Sequence, residues 1–415
     1  MSFKIEKRKL LLSIVLIIQL IMRDGFFDLY GMNDSVIASV RLRDLYFILE
    51  VGWLLIVLLH YKGKICNPFA GLAWAFLAII IINCFTSYWY FNQPFTYGFQ
   101  AQRDIFSGFC FLLAWSEIAY RHEMDSETIM TIVKKLCILK LFLNTLHWIL
   151  YSYAGIELLQ GAQLFTERYG EARIVFSQVE VVSLLAAICV NDILHEKNIV
   201  WNLIIYAWAL CFFMVETKLR ASTVASILAV TVVLLLWKKA GIKKGLVIVS
   251  AVVVVIMLAD RIPLVQDVIE TLFGSGSTST NTMITRGNAR LYYTERFLKS
   301  PFIGWGYPHT DWSAAFSGQG KALGYNFSDN GIFSFLYIYG GLGMVWLICF
   351  INKYVKYTRM YYKVEHNYIG IYWGIYQLVM LITGMFWIIG NYQLSFMLVP
   401  VYFMAKLNEE YNEIG

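Results

Sequence analysis

The chain has 415 residues, 59% of them hydrophobic, 17% aromatic and only 15% charged, with a formal net charge of +6 and a mean hydropathy of +0.59. No soluble domain sustains that balance, so a soluble class is excluded. The apolar runs are long and continuous rather than alternating, which predicts an all-α, polytopic integral membrane protein, since only helices and closed barrels satisfy their backbone in lipid.

Taken in order, the hydropathy predicts twelve spans, at about 10–28, 44–60, 69–90, 104–120, 136–154, 174–194, 199–215, 222–237, 245–260, 330–351, 368–389 and 392–406. The whole chain, 1–415, reads as one transmembrane domain, with a large extracytoplasmic segment, 261–328, between spans nine and ten. The opening MSFKIEKRKL precedes a long apolar run with no small-residue cleavage pattern, so it is expected to be an uncleaved first helix. Lys4, Lys7, Arg8 and Lys9 place the N-terminus in the cytoplasm, and twelve spans put the C-terminus there too.

That orientation makes every second connection cationic: Lys62 and Lys64, Arg121, Lys134 and Lys135, Lys197, Lys238 to Lys244, Lys353 to Lys363, and Lys406. By this topology 16 of 20 lysines but only 3 of 14 arginines are cytoplasmic. A hydrated ammonium suffices to retain a loop inside, whereas the guanidinium fork grips phosphate or carboxylate oxygens in pairs. The outward set is Arg23, Arg41, Arg43, Arg103, Arg168, Arg173, Arg220, Arg261, Arg286, Arg290 and Arg296. Pairing with nearby Asp44, Asp104, Glu167, Glu171 or Glu295 is the plain alternative, and it fits Arg103 better than Arg220, which stands at the end of two apolar helices.

Within the spans Glu50, Glu117, Lys140, His147 and Glu180 are ionisable; each is a proton-relay candidate or a hydrogen-bonded structural group. Glu180 follows Arg173 by two helical turns and is expected to face the same vestibule. The seven cysteines lie in or near spans and none falls in 261–328; no His-x-x-x-His or Glu-x-x-His pair occurs, so no metal site and no cofactor are expected.

The polar interval holds most of the remaining signal. Gly274–Asn281 (GSGSTSTN) is expected to be a mobile flank. Asn288–Leu298 predicts a helix stopped at Ser300-Pro301, with Arg286, Arg290, Tyr293 and Phe297 along one face. Arginines one turn apart gain from a shared polyanion; pairing of Arg290 with Glu295 or Glu216 is the alternative. Pro301-Phe-Ile-Gly304-Trp-Gly306 is a turn whose glycines allow close approach of backbone or ligand. Trp305, Tyr307, Trp312 and Tyr325, interleaved with polar residues such as Asn330, suit the faces and hydroxyls of sugar rings, or equally a membrane-interface belt. Ser328, Asp329 and Asn330 are helix-capping types before span ten.

The run from Arg290 through Pro301-Phe-Ile-Gly304-Trp-Gly306, with Asp329-Asn330-Gly331 and Gly340-Gly341-Leu-Gly343, resembles the signature of the bacterial O-antigen/capsular polysaccharide polymerase (Wzy) and O-antigen ligase superfamily. Glu216–Ser222 and Arg173-Ile-Val-Phe-Ser-Gln resemble two further elements of it, while the first 150 residues match only in hydropathy. The resemblance implies a metal-independent glycosyltransferase of the bacterial plasma membrane. Its donor and acceptor are oligosaccharides on undecaprenyl diphosphate, and its implied partners are a chain-length regulator and a flippase, with no nucleic acid. Arg173, Arg220, Arg286 and Arg290 then manage the diphosphate, and Trp305, Tyr307, Trp312, Tyr325 and Asn330 the glycan. Ligases of the superfamily have His where this chain has Asp329, which favours polymerisation and leaves the base open among Asp329, His309, Asp311 and Glu295. A ligase or protein O-oligosaccharyltransferase differs only in acceptor. A lipid-linked glycan flippase or secondary transporter is the alternative of another class, although no repeat between halves is visible.

Overall fold

The computed structural model describes residues 7–22, 36–37, 40–121, 124–156, 165–168, 171–174, 179–237, 277–309, 311–318, 320, 323–325, 327–383 and 393–413. The described residues are mostly helical, at 84%. In chain order the helices are α1 (Lys7–Met22), α2 (Leu42–His60), α3 (Ala70–Phe91), α4 (Phe95–Tyr120), α5 (Ser126–Ala154), α6 (Val179–Leu194), α7 (Ile199–Cys211), α8 (Arg220–Leu236), α9 (Ser277–Lys299), α10 (Ser313–Gly318), α11 (Gly331–Glu365), α12 (Ile369–Thr383) and α13 (Gln393–Glu413). A π turn, Phe212–Glu216, continues α7. Among the described residues three helical stretches are long and apolar enough to cross a membrane, Ala70–Phe91, Ile199–Glu216 and Gly331–Glu365; shorter apolar helices are Lys9–Ile21, Ala221–Leu236 and Ile369–Thr383.

Local chemistry sets the helix ends. Asp125 accepts from the Thr128 N–H at 2.7 Å and so caps α5, which stops at Gly155 in the left-handed region. Asn92 ends α3 in the same conformation, and Pro94, with φ fixed near −53°, starts α4 two residues later.

Polar contacts then show that the helices alternate in direction between two ends. At one end Glu117 of α4 accepts from the Cys66 and Asn67 N–H groups before α3, at 2.8 and 2.9 Å, and pairs with Arg121 at 2.7 Å. There too Lys134 of α5 meets Asp192 of α6, Lys406 of α13 meets Glu365 of α11 at 3.3 Å, and Asn191 accepts from the Tyr368 N–H before α12 at 2.9 Å. At the other end Arg103 of α4 pairs with Asp44 of α2, Glu216 after α7 accepts from Thr145 late in α5 at 2.6 Å, and Ser222 of α8 meets Met380 of α12 at 3.9 Å. Lys134, Lys353 and Lys406 make their contacts at the first end, and Arg103 and Arg290 at the second. The arginine end carries the candidate site.

Four expectations are corrected or redirected. Helix α9 starts at Ser277 rather than near Asn288, so Ser277–Asn281, part of the tract expected to be a mobile flank, is helical, and residues 274–276 lie outside the described residues. Serine and threonine cost only a few tenths of a kcal/mol each in a helix, so a helix already nucleated downstream propagates through them. Arg173 does not lead into the sixth span: it sits on a strand of the two-stranded hairpin Phe165–Arg168 and Glu171–Ile174, and α6 begins only at Val179. The expected two-turn helical spacing from Arg173 to Glu180 therefore does not exist. A second small hairpin pairs Val36–Ile37 with Val40–Arg41. The ninth predicted span, 245–260, the whole of 261–276, and residues 23–35 lie outside the described residues.

Candidate functional site

The site is framed by a break in α11. Gly340 has φ 63° and ψ −156°, a conformation open essentially to glycine alone, so the helix ladder is interrupted inside an apolar segment. Backbone groups freed there must be paired, and the turn Pro301–Gly306 pairs them. The Trp305 and Gly306 N–H groups donate to the Tyr337 and Ile338 carbonyls at 2.8 and 3.2 Å, and the Gly341 and Leu342 N–H groups donate to the Pro301 and Phe302 carbonyls at 2.7 and 3.0 Å. A Cβ on Gly304 would lie 2.4 Å from the Ile338 oxygen, and one on Gly340 2.4 Å from the Gly304 nitrogen. The glycines of the turn thus serve contact between backbones rather than approach to a ligand.

Helix α3 locks the same joint. Asn83 donates to the Ile338 carbonyl at 2.7 Å, Ser87 to Tyr307 at 3.2 Å, and Gln93 to Tyr307 at 3.0 Å. None of these three was singled out in the sequence; their only signal there is polarity inside, or just after, an apolar helix.

Arg290 occupies the corner beside this joint. Its neighbours on α9, Ala289 and Tyr293, are buried, while Arg286 one turn earlier is exposed. The Arg290 guanidinium donates from Nη2 to the Ile382 carbonyl at 3.4 Å, in the last turn of α12, and lies 5.5 Å from the centre of the Phe333 ring in the first turn of α11. No carboxylate pairs with it among the described residues: Glu216 is engaged by Thr145, and Glu295 on the same helix is exposed. Asp329 ends the short 3-10 turn Phe327–Asp329 just before α11. It stands four residues before Phe333, whose ring adjoins the Arg290 guanidinium, and burial, then Tyr292 and then the Asp329 charge push the Tyr293 hydroxyl up from its ordinary range. The N-cap of α11 is Asn330, which makes no side-chain capping bond, so the capping expected of this polar triplet does not take that form.

The other arginines stand on neighbouring elements. Arg220 is the first residue of α8, whose Ser222 touches Met380 two residues before Ile382, so the start of α8 adjoins the carbonyl that holds Arg290. The Arg220 side chain lies outside the described residues. Arg173 pairs across its hairpin with Thr166, and that hairpin is held by Trp148, which donates to the Ala172 carbonyl at 3.1 Å. Arg103, by contrast, is paired with Asp44 and lies 3.8 Å from Asp104.

His309 sits in a different pocket. Its N–H donates to Gln93 Oε1 at 2.8 Å, and the Asp311 N–H donates to His309 Nδ1 at 3.1 Å, which fixes the proton on Nε2. Burial lowers its pKa, with Asp311 opposing and Arg103 reinforcing. The aromatic residues form a collar packed on itself. Trp305 lies 4.3 Å from Tyr90 and 4.8 Å from the Arg296 guanidinium, and donates to the Arg296 carbonyl at 2.6 Å. Tyr307 meets Phe327 edge-on at 5.6 Å, Trp312 lies 5.6 Å from Tyr97, and Tyr325 lies 5.6 Å from Tyr292. Tyr307 and Asn330 are buried, whereas Trp305, Trp312 and Tyr325 keep part of their surface open.

Among the described residues no group of three or more His, Cys, Asp or Glu is placed to hold a metal ion. No protein-family model matches the chain, and no curated protein matches it. The corner brings together a guanidinium that meets no carboxylate among the described residues, the turn that ends at Asp329, and the start of α8.

Proposed function

We propose that the chain is a polysaccharide polymerase of the bacterial plasma membrane. It joins polyprenyl-diphosphate-linked oligosaccharide repeat units on the outer face and releases polyprenyl diphosphate. The observation that carries this reading is the state of Arg290: half-buried at the arginine end, touched by a carbonyl and an aromatic ring, and not neutralised by any carboxylate among the described residues. A buried or half-buried cation of that kind favours an anion, and the guanidinium fork fits a diphosphate. Arg286 on the same helix and Arg220 at the α8 N-terminus, where the helix dipole adds positive potential, extend the cradle.

In this mechanism a hydroxyl oxygen of the acceptor sugar attacks the anomeric carbon of the donor. The carbon–oxygen bond to the diphosphate breaks, the departing diphosphate keeps the electron pair, and Asp329 accepts the hydroxyl proton. Arginines that grip the leaving group more tightly as its charge grows lower the barrier. His309 carries its proton on Nε2 and already accepts at Nδ1, which makes Asp329 the better base. The half-open rings of Trp305, Trp312 and Tyr325 would line the path of the glycan, with Tyr307 and Asn330 beneath them.

This reading keeps the twelve-span topology, with residues 275–325 outside, 238–244 inside and both termini in the cytoplasm. Cysteine labelling from the two faces of the membrane tests it, and a cytoplasmic 275–325 would remove the external substrate on which it depends. The broken helix α11 is a feature shared with secondary transporters. Its freed backbone groups, however, are taken up by the chain's own turn rather than left for a cargo. The surface glycan of a deletion strain decides among the classes. One repeat per lipid means polymerase; full-length polymer left on its carrier means ligase; loss of all external repeats means flippase.

A further inference from the structure

Arg296, in the last turn of α9, takes no part in the chemistry above, and its surroundings differ from those of Arg290. Its guanidinium lies 5.2 Å from the centre of the Tyr292 ring and 4.8 Å from that of Trp305. Among the described residues it makes no ion pair and no hydrogen bond; Glu295, next to it in sequence, is exposed, and so is Lys299 one turn on. Arg296 itself is half-buried, and none of its nitrogens is sealed in the interior, whereas Arg290 Nε is. Its donors are therefore open to an incoming group.

Both rings are held in place. The Tyr292 hydroxyl donates to the Gly318 carbonyl at 3.0 Å, the Trp305 indole donates to the Arg296 carbonyl at 2.6 Å, and the Trp305 ring lies 4.3 Å from Tyr90. A planar guanidinium laid against two fixed rings loses little freedom on binding, and its fork fits a carboxylate with two parallel bonds. The helix dipole accounts for a cation in the last turn of α9, and Lys299 meets that need. It does not account for a guanidinium set against two rings, since an arginine with no other task extends its head into water. The charge of the helix points the same way: α9 carries Arg286, Arg290, Arg296 and Lys299 against the single carboxylate of Glu295. Arg296 stands about 9 Å along the axis from Arg290 and about 120° around it, so the two forks serve different groups. Tyr292 and Trp305 are half-buried, which leaves part of each ring open beside the cation. An open aromatic face next to a guanidinium suits a sugar ring that carries an acid group.

We infer that Arg296, with Tyr292 and Trp305, forms a subsite for an acidic sugar of the repeat unit, one that bears a carboxylate. The carboxylate accepts from the guanidinium, and the sugar ring lies on the open aromatic surface. This inference rests on the reading of this face as a glycan site, and it adds that the glycan is anionic.

The test is equilibrium binding to the purified full chain in detergent. The probe is a uronic-acid tetrasaccharide, and the control is the same tetrasaccharide with its carboxyls reduced to alcohols. The acid form should bind about tenfold more tightly, the gain expected of a hydrogen-bonded charge. Arg296→Gln should remove that preference and Arg296→Lys most of it, because an ammonium cannot supply two parallel bonds. Equal binding of the two forms by the unmodified chain, or binding of neither, would overturn the inference, so misfolding of a variant cannot hide the answer. A preference that survives Arg296→Gln would overturn it too. Inorganic phosphate, or vesicles of an anionic phospholipid, that displace the probe as fully as the unlabelled acid tetrasaccharide would assign Arg296 to phosphate groups instead. Binding needs no turnover, and the glycan of the deletion strain tests polymerisation separately, so the subsite and the polymerase reading fail by different results.

Discussion

The Gly340 joint and the Arg290 corner lie side by side and are built on opposite terms. At the joint every interaction is between groups that complete each other: four backbone bonds close the break in α11, and Asn83, Ser87 and Gln93 add side-chain bonds from α3 and its end. At the corner a guanidinium is held by one long bond to a carbonyl and by an aromatic ring, with its charge uncompensated among the described residues. The difference separates two parts of one sequence pattern. The Pro-x-x-Gly-x-Gly run and the Gly340-Gly341 pair make the scaffold, and the arginine that precedes them is left with its charge uncompensated among the described residues.

If that division is right, the largest effects on folding should come from the joint. Gly340→Ala places a side chain at φ 63° and a Cβ 2.4 Å from the Gly304 nitrogen, so a loss of about 3 kcal/mol or more is expected, read as collapse of accumulated protein and of the detergent Tm. Gly287→Ala, on the exposed part of α9 with nothing within 4 Å, should instead be neutral or stabilise by about 0.5–1 kcal/mol. Similar behaviour of the two glycine variants would break the comparison.

The corner should respond in the opposite way, in activity rather than in folding. Arg290→Lys should accumulate normally yet fail nearly as badly as Arg290→Ala, with turnover down on the order of 100-fold and polymer length falling toward one repeat, because lysine cannot supply two parallel bonds. Asp329→Asn should do the same by removing the basic oxygen. Wild-type polymer from both variants at matched protein level would move the chemistry away from this corner.

A smaller effect is expected where the two regions meet. Gln93→Ala removes the donor to the Tyr307 carbonyl and the acceptor for the His309 N–H together, and should cost about 1–3 kcal/mol in stability, measurable as a lower Tm. Gln93→Glu keeps the acceptor but sets a buried carboxylate against the Tyr307 carbonyl, and should cost at least as much as Gln93→Ala.

The smallest effect is a pH dependence from His309. Burial lowers its folded pKa below the ordinary value, so between the two values the unfolded chain binds more protons. Stability from this group is therefore complete above about pH 6.5 and is lost as pH falls toward the folded pKa. Replacing His309 with Gln should flatten that part of the stability profile, and an unchanged profile would show that the ring titrates as it does in water.

Much of this was legible from residues in order. Hydropathy and run length alone determine a helical membrane protein, because lipid leaves an unpaired backbone no other partner, and capping residues such as Asp125 and Gly155 mark helix ends locally. The separation of lysine from arginine is also written in the chain; in the structure Lys134, Lys353 and Lys406 make their contacts at one end, with Arg121, and Arg103 and Arg290 make theirs at the other. Only the tertiary structure decided what the glycines are for, since Gly304 and Gly340 lie 36 residues apart and their contact exists only once α11 breaks. It also decided which arginine is neutralised: Arg103 reaches across to Asp44 while Arg290 finds a carbonyl, a distinction that nearness in sequence to a carboxylate does not carry. The physical reason is the same in both cases. Local propensity acts over one or two turns, whereas the pairing of a charge or of a freed backbone group depends on whichever helix is packed against it.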